Sequence, residues 1–135
     1  PMILIGNGTG IAGLRGLLRE AEHVGHGGHW LLFGERQQAH DALYDDELRR
    51  WEAQGHLLRL DRAYSRDGGN RVYVQDLLRT ASAELRHWIA EGACVYVCGS
   101  LQGMAQGVDD VLRECLGEDA VEQLQADGRY RRDVY

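Results

Sequence analysis

A single proline, three cysteines and no long apolar run already exclude several kinds of protein. The one proline is Pro1, and no low-complexity or proline-rich linker interrupts the remaining residues. At 135 residues the chain therefore reads as one domain. Runs such as Met2-Ile3-Leu4-Ile5 are far too short to span a bilayer. No secretory leader is read, because the chain opens directly on a core-like strand. That opening is expected to be a cut inside a longer protein. Cys94 and Cys98, if on one strand, share a face but lie about 13 Å apart at ~3.3 Å per residue, too far for a disulfide. An odd number of free thiols, with Cys115 the third, suits a reducing, cytoplasmic setting. Basic residues number 15 against 21 acidic ones, a net charge of −6. This balance argues against nucleic acid or a direct membrane contact, while leaving room for a local arginine cluster that holds a small phosphate ligand.

What the chain does have is a 44% apolar fraction, enough for a real core, and a regular alternation of strand-like and helix-like segments. Strands are expected at Met2–Gly6, Trp30–Gly34, His56–Ser65, Ala93–Gly99 and Tyr130–Tyr135. Between them, helical spacing predicts helices over about Ile11–Val24, Leu43–Ala53 (stopped by Gly55), Val74–Glu91 (stopped by Gly92), Leu101–Leu116 and Asp119–Ala126. The acidic residues Asp41, Asp45, Asp46 and Glu47 suit the N-terminus of the second helix. The implied fold is α/β, a three-layer Rossmann-like parallel sheet of about five strands with helices on both faces. In such sheets ligands bind beyond the carboxyl ends of the strands.

The first strand end carries Gly6-Asn7-Gly8-Thr9-Gly10-Ile11-Ala12-Gly13. Glycines admit a pyrophosphate close to the backbone, and the following helix start offers N–H groups. No Gly-Lys-Ser/Thr follows, so this is not a P-loop. Glu35, near the second strand end, would suit the ribose hydroxyls of NAD. The third strand end carries Ser65-Arg66 and then Arg71-Val72-Tyr73-Val74-Gln75, a set suited to an adenosine 2′-phosphate and a stacked adenine. The run Arg62-Ala63-Tyr64-Ser65 mimics a flavin-barrel motif, but its parallel-sheet setting marks it as coincidence. Cys98 sits at the fourth strand end, and Asp133 and Tyr135 at the fifth. His23, His26 and His29 lie in a glycine-rich loop without a ligand-type pattern, and no metal is expected there.

In order, Gly-Asn-Gly-Thr-Gly-Ile-Ala, Leu-Phe-Gly-Glu-Arg, Tyr-Ser-Arg-Asp with Arg-Val-Tyr-Val-Gln-Asp, Val-Tyr-Val-Cys-Gly and Gly-Arg-Tyr-x-Arg-Asp-Val-Tyr cover nearly the whole chain. Together they resemble the C-terminal NADPH-binding domain of the ferredoxin–NADP reductase family, closest to its diflavin group. The resemblance implies that Gly8, Thr9 and Gly10 line the pyrophosphate and nicotinamide side. It implies that Arg36, Ser65, Arg66, Arg71, Tyr73 and Gln75 belong to the cofactor-binding set, the last five at the 2′-phosphate and adenine. Cys98 would lie beside the nicotinamide, Asp133 would support hydride transfer, and Tyr135 would be the terminal aromatic that stacks on the flavin. Asn7 and Gly13 stand where the family usually has proline, which should loosen the loop.

The resemblance thus implies an NADPH-dependent flavoprotein reductase. Its FAD is held by a domain not in this chain, residues 1–135 form the NADP(H)-binding domain, and electrons pass on to a downstream acceptor. The parent would be cytoplasmic, or would sit on the cytoplasmic side of a membrane anchor. Two other readings stay open on the residues alone: a nucleotide-sensing domain without catalysis, and an NAD-dependent dehydrogenase module using Glu35.

Overall fold

The computed structural model describes residues 1–35, 44–64 and 72–135. Five strands run β1 (Met2–Asn7), β2 (His29–Glu35), β3 (Leu57–Tyr64), β4 (Cys94–Gly99) and β5 (Tyr130–Val134). Six helices run α1 (Gly10–His23), α2 (Asp45–Ala53), α3 (Val74–Thr80), α4 (Ser82–Ala90), α5 (Gln106–Leu116) and α6 (Glu118–Ala126). The sheet is wholly parallel in the order β3-β2-β1-β4-β5. Strand order reverses between β1 and β4, so the crevice beyond their carboxyl ends is the switch point at which such sheets bind ligands. The expected α/β, Rossmann-like architecture is borne out.

Strand residues alternate between two apolar layers, as a pleated sheet buried on both faces requires. Ile3, Ile5, Trp30, Leu32, Val95 and Val97 face one layer, with Val74, Leu78, Leu85, Val108, Val111 and Leu112 of the helices α3 to α5. Leu4, Leu31, Phe33 and Cys98 face the other, against Ile11, Leu14 and Leu18 of α1 and Leu48 and Trp51 of α2. Edge strand β3 departs from the expected inward alternation, since Leu58 is 68% exposed.

Two helices differ from their sequence periodicity. The expected Val74–Glu91 helix is divided at Ala81, which leaves helical geometry at φ −95°, ψ 27°. The Thr80 hydroxyl donates to the Asp76 carbonyl at 3.0 Å, a local bond that competes with regular helix. The helix expected from Leu101 begins only at Gln106, because Gln102 is extended and Gly103 has φ +79°. Here the Leu101 N–H is taken by the Tyr135 carbonyl at 2.9 Å, which draws that residue out of a helical turn.

At the amino ends of the strands, His29 is buried and pairs its whole ring. Nδ1 accepts from the Met2 N–H at 3.0 Å and Nε2 donates to the His26 carbonyl at 3.0 Å. The His56 ring meets it edge-on at 5.0 Å and itself donates to the Leu18 carbonyl. Burial lowers the His29 pKa below its ordinary 6.5; the bond to His26 opposes this, and the His56 charge adds to it. The native state therefore favours the neutral ring. Its stabilisation is complete above about pH 6.5 and is lost as pH falls towards the depressed native value. Urea unfolding between pH 7.5 and 5 should show stability falling with acidification. His29→Asn, which keeps one acceptor and one donor, should flatten that slope. An unchanged slope in the variant would count against His29 as its source.

Candidate functional site at the mouth of β1 and β4

The turn from β1 into α1 lies directly on the end of β4. A Cβ at Gly6 would meet the Cys98 carbonyl oxygen at 2.5 Å, and one at Gly10 would meet it at 2.3 Å. Any side chain at either position would push the turn off the sheet. Gly8 differs: it has φ +56°, is exposed, and a Cβ there would meet nothing within 4 Å. Of the three glycines, Gly8 is the one whose bare backbone faces open space. Gly10, expected as a cofactor contact, has a packing task as well.

Helix α1 begins here without a side-chain cap and without an acidic residue in its first turn. Its N-terminal end therefore offers positive potential to an anion, and no carboxylate on that turn opposes it. Thr9 occupies the N-cap position, and its hydroxyl contacts the Tyr135 hydroxyl. Gly6, Cys98 and Asp133 lie in register across β1, β4 and β5. Cys98 is 7% exposed, and its Sγ would lie 3.5 Å from a Cβ at Gly13. Burial pushes its thiol pKa up, and the Asp133 carboxylate pushes it further, so Cys98 is a neutral thiol at ordinary pH. Tyr135 is 70% exposed, yet its backbone is fixed: its N–H donates to the Gly99 carbonyl at 3.1 Å and its carbonyl accepts from Leu101.

The remaining expected residues divide in two. Tyr73 is exposed and extended, and its N–H donates to the Asp76 carboxylate at 3.0 Å as α3 begins. Its neighbour Val74 and the loop residue Asn7 both come within 4 Å of a Cβ placed on Gly34, which sets the start of α3 beside the same mouth. Gln75 lies over Gly107 of α5, where a Cβ would meet its side chain at 2.9 Å. Arg36, Ser65, Arg66 and Arg71 lie outside the described residues.

Glu35 is 6% exposed. Burial works against the charge of Arg62, but bonds to Tyr64 and Asp45 and the nearby charge of Glu35 outweigh it and raise the pKa. Arg62 and Tyr64 thus belong to a parallel strand and a charge cluster, as the coincidence reading of that run requires. Asp45 pairs with Arg62, while Glu47 pairs with Arg15 and Arg19. The acidic start of α2 is therefore tied to its neighbours as well as suited to the helix dipole.

Sequence reasoning missed one pairing. The Asn7 side chain donates to Ser100 Oγ at 3.1 Å and accepts from the Ser100 N–H at 3.0 Å. The expected loosening at Asn7 is countered by these two bonds, which join residues 93 positions apart. No periodicity or motif could have signalled them.

The oxidoreductase NAD-binding domain family matches this sequence over residues 4–110. The chain belongs to that family. Curated relatives of this oxidoreductase NAD-binding domain include sulfite reductase [NADPH] flavoprotein alpha-components. Those of Serratia proteamaculans (strain 568), Mannheimia succiniciproducens and Yersinia enterocolitica are 42%, 44% and 41% identical to it. Each alignment covers 100% of this chain and 24% of the relative. The chain thus spans about a quarter of the length of these relatives, and the resemblance read from its motifs is borne out.

Two substitutions separate the glycine tasks. Gly10→Ala should destabilise the fold by about 1–3 kcal/mol or more through overpacking on Cys98. Gly8→Ala should cost only about 1 kcal/mol, for the left-handed backbone. Equal losses in urea unfolding would contradict this division.

Proposed function

We propose that this oxidoreductase NAD-binding domain is the NADPH-binding domain of a flavin-dependent reductase, residues 1–135, with the FAD held by another domain of the same protein. The observation that carries the reading is the convergence at the β1–β4 switch point. There Gly10, at the uncapped start of α1, meets Cys98 beside the exposed Gly8, and the Tyr135 hydroxyl contacts Thr9. This mouth fits a dinucleotide: an exposed, side-chain-free turn can take the pyrophosphate, and a neutral thiol beside it can take a planar ring.

Gly8, Thr9 and Gly10 bind the pyrophosphate side. Tyr73 and Gln75, with Ser65, Arg66 and Arg71 and with Arg36 after β2, hold the adenosine end and its 2′-phosphate. Cys98 packs beside the nicotinamide as a thiol kept neutral by burial and, to a lesser extent, by Asp133, which supports the reacting end. Tyr135 covers the nicotinamide position until the ring displaces it. When bound, NADPH supplies a hydride from its C4 to flavin N5, and the electrons then leave for an acceptor. The chain's own contribution is position: it anchors one end of the dinucleotide and delivers the other.

The burial of Glu35 beside Arg62 favours this reading over an NAD-type site. A buried carboxylate already facing the Arg62 guanidinium is poorly placed to take the ribose hydroxyls. A catalytically silent sensor would have no need of Cys98, Asp133 and Tyr135 at neighbouring strand ends.

Calorimetry on the full-length protein should find 2′,5′-ADP bound roughly tenfold or more tightly than 5′-AMP, with the preference lost in Arg66→Ala, since charge-assisted bonds to phosphate are strong. Equal affinities for the two nucleotides would move the assignment to an NAD-type site. Tyr135→Ala should ease nicotinamide entry and raise kcat/KM for NADH. Unchanged NADH kinetics would remove Tyr135 from the covering role.

A further inference from the structure

Three segments of the mouth meet at one polar node. Asn7, at the end of β1, exchanges two hydrogen bonds with Ser100, just past β4. The Ser100 hydroxyl donates a hydrogen bond to the Gln102 carbonyl at 3.2 Å, so the chain of bonds runs from the Gly-rich turn into the segment before α5. Gly99 lies between them with φ +137°, and a Cβ there would overlap the Asn7 Oδ1 at 2.2 Å. Its carbonyl accepts from the Tyr135 N–H, and the Ser100 carbonyl accepts from Ala105. The turn that presents Gly8 and Thr9, the end of β4 that presents Cys98 and the chain end that presents Tyr135 are thereby fixed to one another. Among the described residues of the adenosine end, Tyr73 and Gln75 take no part in the node.

We infer that Asn7 and Ser100 are positioning residues for the reaction. They hold the pyrophosphate turn against the nicotinamide side of the crevice, so that this half of the dinucleotide meets an ordered surface. The inference rests on the functional reading above. Asn7 is one residue before Gly8, which is exposed and left-handed; a Cβ there would meet nothing within 4 Å, and its N–H is held by the Gly34 carbonyl at 3.4 Å. The Asn7 bonds add a side-chain tie from the entry of that turn to the end of β4, beside the β1–β4 ladder and the backbone packing of Gly6 and Gly10 on Cys98. Without them the turn is less ordered before binding, and the added ordering cost falls only on ligands that touch it.

The test compares two probes on the full-length protein. NADP+ engages both halves of the crevice, whereas 2′-AMP engages the adenosine half alone. Asn7→Ala should bind NADP+ about tenfold more weakly and 2′-AMP as wild type does, a loss on the scale of one or two net hydrogen bonds. Ser100→Ala should follow it in part, because the backbone bond to Asn7 survives, and Ser100→Thr should recover wild-type affinity through its retained hydroxyl. Unchanged NADP+ affinity in Asn7→Ala, or an equal loss of both probes, overturns the positioning role while leaving the functional reading intact. Failure of wild type to bind either probe overturns the functional reading, and the positioning role with it.

Discussion

The contact on which the rest of this structure depends is the one between the β1–α1 turn and the carboxyl end of β4. It exists because Gly6 and Gly10 have no side chains, so that the backbone comes down onto the Cys98 carbonyl. That contact seats α1 on the layer containing Leu14 and Leu18. It also brings the uncapped helix start to the point where strand order reverses. A single methyl group would separate the two elements, and the mouth would lose both its shape and its direction. Packing and function are therefore not independent at these glycines: the geometry that closes the core also aims the helix N-terminus at the crevice.

Electrostatics complements that geometry. The chain carries a net charge of −6, which would repel a phosphate-rich ligand if the acids were spread over the mouth. Several acids are instead engaged elsewhere. Glu47 pairs with Arg15 and Arg19, and the bonds from these arginines outweigh burial and lower its pKa. Asp45 and Glu35 serve Arg62, while Asp109 takes Arg113 and the Tyr130 hydroxyl. The first turn of α1 carries no acid at all. Beside it, burial and then the Asp133 carboxylate raise the Cys98 thiol pKa, which suits a thiol that packs against a ring rather than attacking it.

Much of this was legible in the sequence, and the parts that were not have physical reasons. The strands were readable because a buried parallel sheet needs near-continuous apolar runs such as Met2–Ile5 and Trp30–Phe33. The candidate site was proposed from motifs at successive strand ends, and the family assignment follows the same motifs. Periodicity failed where a tertiary contact competes with a local pattern. Leu101 fits a helix by spacing, but the chain end claims its N–H. Val74 to Glu91 reads as one helix, but Thr80 bonds back to Asp76 and Ala81 turns away. Asn7 read as a loss of rigidity, since a missing proline can be seen in sequence and a partner 93 residues away cannot. The packing task of Gly10 was not legible, because its close neighbour, the Cys98 carbonyl, comes from a strand distant in sequence.

The central claim is that the crevice between β1 and β4 receives the dinucleotide, with its pyrophosphate on the turn at Gly8. A crystal structure of the full-length protein with NADP+ tests this most directly. Pyrophosphate oxygens should lie on the turn at Gly8 against the backbone N–H groups of Thr9 and Gly10, since the Gly8 N–H is donated to the Gly34 carbonyl, and the Tyr135 hydroxyl should leave Thr9 once the nicotinamide lies beside Cys98. A nucleotide bound away from this mouth, or one whose ribose sits on Glu35 while the turn contacts nothing, would contradict it.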